Sequence, residues 1–134
     1  QVLVLSPTRE LGQQIAKQLF KFTKYHPNKI FTEAVFGGEH ISKQLSRLDR
    51  TTHIIVATPG RLIDLLEREV VNLSAVKTVV LDEADEMLNM GFQEEISSIL
   101  AETPTTRNTL LFSATMSREI STVADHYMTD EIGR

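Results

Sequence analysis

Across 134 residues the chain is 41% hydrophobic and 24% charged, enough apolar material for the core of a single soluble domain, and no run approaches the ~18 apolar residues of a membrane span. It has no cysteine, which excludes a disulfide framework and a thiolate zinc site, and His26, His40, His53 and His126 are scattered rather than set at metal-ligand spacing. The net charge of −4 hides an asymmetry: residues 1–61 carry nine Lys/Arg against four Asp/Glu, and residues 62–134 carry five against fourteen, so any phosphate contacts should come mainly from the first half.

In chain order, the first element is "VLVL" (2–5), a continuously apolar strand. A helix follows, with Leu11, Ile15, Leu19 and Phe22 as its apolar stripe. "IFTEAVF" (30–36) is the second strand, and Ile41, Leu45 and Leu48 mark the next helix. "HIIVAT" (53–58) and "TVVLD" (78–82) are the third and fourth strands. Helical spacing returns at Phe92, Ile96, Ile99 and Leu100, and "MGF" (90–92) before it reads as packing and a turn. "NTLLFSAT" (108–115) is the fifth strand, and Ile120, Val123 and Tyr127 lie on the last helix. Strands that are apolar throughout are buried on both faces, so the alternation predicts an α/β fold with five strands in a parallel sheet, helices on both faces and right-handed crossovers. In such folds ligands sit beyond the carboxyl ends of the strands.

Those ends carry polar, small and charged residues instead of more core. "VLVL" leads into "SPTREL", where hydroxyls, a helix start and Arg9 make a set suited to gripping phosphate. "HIIVAT" leads into "PGR", repeating that chemistry with Thr58, Gly60 and Arg61, while Pro59 is equally a helix starter. Gly37 and Gly38 after the second strand could admit a ligand or form a tight turn. The fourth strand delivers Asp82, Glu83 and Asp85 within one turn. A carboxylate at that point can hold a hydrated Mg²⁺ shared with nucleotide phosphates, and a neighbour can orient a hydrolytic water. The structural alternative is that Asp82 simply caps the helix beginning near Ala84.

Taken together, "PTREL", "GG", "TPGR", "DEAD" and "SAT", in that order, resemble motifs of the DEAD-box ATP-dependent RNA helicases, over Ser6 to at least Thr115. The resemblance implies a RecA-like, P-loop NTPase-like fold. It also implies that Asp82 holds Mg²⁺ through water, that Glu83 orients the hydrolytic water, and that Asp85 bonds to Ser113 and Thr115. Pro7, Thr8, Arg9, Gly38, Thr58, Gly60 and Arg61 would contact the sugar-phosphate backbone of RNA, single-stranded or duplex, without reading sequence. That agrees with the basic first half, and with a chain in which no aromatic stacking platform is expected. Position 12 is Gly where the family more often has Ala, a departure expected to be minor because both are small.

No glycine of the chain lies in a G-x-x-x-x-G-K-[S/T] pattern. Residues 1–134 are therefore expected to be part of a first RecA-like domain that lacks the P-loop strand. The adenine-reading segment and the second RecA-like domain are likewise expected elsewhere in a parent protein. ATP and Mg²⁺ would serve that parent, while this chain alone would neither bind ATP tightly nor hydrolyse it. Loss of the P-loop strand would leave residues 108–115 as an edge open to self-association or fraying. The N-terminus lacks a secretory pattern, so a cytoplasmic protein without a membrane partner is expected. Three alternatives compete: an ATP-independent RNA-backbone or protein-docking module, a receiver-like α/β domain, and a serine hydrolase. A receiver places its acidic pair after the first strand, where this chain has "SPTRE", and no G-x-S-x-G elbow surrounds Ser113.

Overall fold

The computed structural model describes residues 1–37, 40, 43 and 52–127. Five strands, β1 (Val2–Leu5), β2 (Thr32–Val35), β3 (Ile54–Ala57), β4 (Thr78–Leu81) and β5 (Asn108–Leu111), form one sheet in the order β2-β3-β1-β4-β5. Every pairing is parallel, as the unbroken apolar runs require. Among the described residues the helices are α1 (Arg9–Thr23), α2 (Pro59–Glu67), α3 (Ala84–Asn89), α4 (Gln93–Ala101) and α5 (Arg118–Tyr127). The helix expected over Ile41, Leu45 and Leu48 lies outside the described residues.

Side chains alternate across each strand, so the sheet has two apolar faces. Leu3, Leu5, Ala57, Val79 and Leu81 join Leu62 and Leu65 of α2, Ile96, Ile99 and Leu100 of α4, and Ile120 and Val123 of α5 in the larger cluster. Val4, Val56 and Phe36 form the smaller one, covered by Ile15, Ala16 and Leu19 of α1. Helices thus cover both faces.

Two expectations about α1 need correction. Its sheet-facing stripe runs through Gly12, Ile15, Ala16 and Leu19, whereas Phe22 is 79% exposed. At ~100° per residue the first four share one arc, and Phe22 falls at its margin. Nor is glycine at position 12 a neutral exchange for alanine. A Cβ there would collide with the ring of Phe36, which is buried against Val4 and Val56.

β1 spans the expected residues, while the other four strands are shorter than the runs that marked them. β5 ends at Leu111, although Phe112 N–H still donates to Leu81 O of β4 (2.9 Å), because Phe112 O turns to accept from Ala84 N–H at the start of α3 (2.9 Å).

Candidate functional site

The register sets Val35, Ala57, Leu5, Leu81 and Leu111 in one row across the sheet. The following residues continue the ladder, through Thr58 N–H to Val35 O (3.1 Å), Ser6 N–H to Ala57 O (3.0 Å) and Asp82 N–H to Leu5 O (3.0 Å). Four loops therefore leave the sheet from a level, hydrogen-bonded rim, and the motif residues begin there.

On β4 the chain turns sharply. Glu83 adopts a left-handed conformation (φ 50°, ψ 53°) and serves as N-cap of α3 without a side-chain cap bond. Left-handed geometry costs a residue with a Cβ about 1–2 kcal/mol. Asp82 Oδ1 accepts from Glu83 N–H at 3.1 Å, so Asp82 steadies this turn rather than capping the helix. The Glu83 carboxylate is left exposed just beyond it.

Among the described residues no group of three His, Asp or Glu side chains could hold a metal on its own. Asp82, half-buried at the rim with Oδ1 held by the Glu83 amide, is a hard oxygen donor of the kind that suits a hydrated Mg²⁺ whose other ligands are water and phosphate.

Asp85, on the first turn of α3, reaches across to the loop after β5. Thr115 Oγ1 donates to Asp85 Oδ2 at 3.2 Å over a separation of 30 residues. Ser113 Oγ donates to Thr115 O at 2.6 Å, which folds the "SAT" loop, and its rotatable hydroxyl is also within reach of the Asp85 carboxylate. Desolvation alone would raise the Asp85 pKa. Hydrogen bonds from the Glu86 backbone, the Thr115 and Ser113 hydroxyls and the residue's own backbone outweigh it and hold the carboxyl below its ordinary value. At neutral pH it is a fixed anion linking two strand ends.

The basic loops are placed less uniformly. Pro7 is buried, so it can only support its neighbours. Thr8 is the N-cap of α1, its Oγ1 accepting from Leu11 N–H at 3.2 Å, and Arg9 is exposed beside it. Thr58 opens α2 without a side-chain cap bond, followed by a buried Pro59. Gly60 is exposed, and a Cβ added there would meet open space, so among the described residues no contact requires glycine. Arg61 is half-buried. Gly38 lies outside the described residues. Two features went unread in the sequence. Ser6 is fully buried with its hydroxyl toward Thr8 O (3.4 Å), stiffening the first loop, and Glu83 is left-handed. A small residue between an apolar strand and Pro hinted at the first; nothing local signals the second.

Comparison with known proteins places this geometry. Residues 1–123 match the family model described as DEAD/DEAH box helicase. The chain is 47% identical to the RNA helicase CrhR of Synechocystis over 97% of its own length and 26% of that protein. It is 48% identical to the DEAD-box ATP-dependent RNA helicase CshA of Bacillus cereus over 97% of its length and 24% of that protein. The crystal structure of a DEAD box protein from Methanococcus jannaschii superposes with a TM-score of 0.89 at 41% identity, covering 97% of this chain and 35% of that one. The yeast DEAD-box splicing factor Prp28 gives 0.89 at 38% identity, over 96% and 30%. The chain spans about a quarter of the length of these curated relatives.

Proposed function

The chain belongs to the DEAD/DEAH box helicase family, and we propose that it forms part of the nucleotide- and RNA-handling face of an ATP-dependent RNA helicase that separates short RNA duplexes without reading their sequence. The observation that carries this reading is the hydrogen bond from Thr115 to Asp85, which joins the carboxylate turn to the β5 loop.

Asp82 would hold Mg²⁺, mainly through water, and Glu83 would orient the attacking water and receive its proton. When bound, Mg²⁺ and ATP supply the electrophilic phosphorus and the neutralising charge. Asp85, with Ser113 and Thr115, would tie that site to the RNA-facing loops. There Thr8, Arg9, Gly38, Thr58, Gly60 and Arg61 would contact the sugar-phosphate backbone, with Pro7 behind them. A second RecA-like domain would complete the clamp, and nucleotide state would shift its closed population.

A P-loop enzyme also cradles phosphates with backbone amides and a lysine, and no such motif occurs in these 134 residues. The chain by itself is expected to bind Mg-ATP too weakly to detect in a calorimetric titration. Tight binding that Asp82→Ala abolishes would mean the carboxylates suffice without a phosphate loop, and this division of labour would be wrong.

A further inference from the structure

Between Glu10 and Glu33 the sequence holds Lys17, Lys21, Lys24 and Lys29 and no acidic residue. The same segment carries the chain's most exposed aromatic side chains, Phe20 (64%), Phe22 (79%) and Tyr25 (86%). Lys17, Lys21 and Lys24 follow helical spacing and form one stripe on the outer side of α1. Phe22 and Tyr25, three residues apart, flank the stripe on one side, and Phe20 flanks it on the other.

The patch is built rather than loose. Lys24 Nζ stands 5.5 Å from the Tyr25 ring centroid. The turn after α1 is closed by His26 N–H to Thr23 O and Asn28 N–H to His26 Nδ1, both at 3.1 Å. Lys29 Nζ lies 5.2 Å from the Phe31 ring centroid, and that ring stacks on His53 at 5.8 Å and 9°. Lysines at a helix C-terminus complement the helix dipole, but that role needs no exposed rings. Three large rings exposed within six residues of one segment form more apolar surface than singly scattered residues do, and such patches mark contact sites.

We infer that this patch is a second contact site for single-stranded RNA, in which the lysines neutralise phosphates while Phe22 and Tyr25 stack on bases. The inference rests on the RNA-binding reading above. Charge selects a polyanion, and π-faces distinguish a nucleic acid from a bare polyphosphate. The length of α1, ~22 Å at 1.5 Å per residue, separates the patch from Thr8 and Arg9. A strand leaving the level rim along α1 would reach it.

The test uses the whole 134-residue chain and a labelled oligouridylate of about 20 nucleotides, longer than the ~4–16 nucleotides such sites cover. Binding is read by anisotropy across a salt series. Tyrosine emission is followed in a Tyr127→Phe background, since the chain has two Tyr and no Trp. Circular dichroism checks folding, which exposed positions should tolerate. We expect Tyr25→Ala to weaken binding about tenfold, RNA to quench Tyr25 emission, and Lys21→Gln with Lys24→Gln to flatten the salt slope by about 0.7 per lost contact. Unquenched binding that Arg9→Ala weakens but Tyr25→Ala does not would overturn the second site and leave the RNA reading standing. No RNA binding by the unmodified chain would remove both. Binding to phosphatidylserine vesicles but not RNA, lost in the same variants, would make the patch a membrane contact instead.

Discussion

Asp85 accepts hydrogen bonds from its own turn and from hydroxyls that arrive 28 and 30 residues later, so its ionisation reports whether β4 and β5 are correctly apposed. Its folded pKa is lowered. The stabilisation it brings is therefore complete above the unfolded carboxyl value of about 3.9 and is lost as pH falls through the lower folded value. Urea denaturation of the chain and of Asp85→Asn should show a constant difference from pH 7 to about pH 5 that narrows below about pH 4. Asp82 and Glu83 differ from it. One is held by the turn's own amide and the other by a strained backbone, and both leave carboxylate oxygens facing outward. The types and order of these residues were legible in "DEAD" and "SAT". The left-handed Glu83 was not, because its conformation is imposed by Ala84 bonding to Phe112, a partner 28 residues away.

At the scale of elements, two helix ends use the same device with different residues. α3 closes with Gly91 at φ 84°, Gly91 N–H bonding to Leu88 O and Phe92 N–H to Met87 O, both at 3.0 Å. "MGF" is thus the turn and packing contact its sequence suggested. α2 closes identically through Glu69 (φ 57°) and Val70, but with a glutamate where glycine is favoured. Glu69→Gly is expected to raise stability by about 0.5–1 kcal/mol in chemical denaturation. A smaller gain, or a loss, would show that its side chain repays the strain. Strand identity and order along the chain were readable from apolar runs and turn residues. The spans of the four strands other than β1 were set too long, since residues such as Thr58, Asp82 and Phe112 continue the ladder as loop. The face of α1 was misjudged at Phe22 for a related reason: periodicity gives a stripe's direction, but the small Gly12 and Ala16 that let the helix approach the sheet carry little apolar weight.

At the scale of the molecule, the sheet is covered unevenly. β5 pairs only with β4 among the described residues, and Leu110 (45%), Phe112 (55%) and Met116 (71%) are exposed along it. An apolar edge with free N–H and C=O groups is a template for another strand. The isolated chain is expected to self-associate with rising concentration in light scattering, and Leu110→Lys should suppress this. A monodisperse chain at high concentration would mean the edge is protected in another way. The parallel architecture was visible in the sequence because burial on both faces leaves no polar alternation to read. The exposed aromatic patch at α1 was missed because Phe22 was counted toward a core it does not enter and Phe20 and Tyr25, off the apolar stripe, drew no reading. The two bonds of Phe112, one to Leu81 and one to Ala84, together with the link from Thr115 to Asp85, form a three-point bracket around the candidate site. Releasing any one arm leaves the other two holding, so the turn after β4 and the loop after β5 should open and close on a single clock, as one body rather than two independent loops.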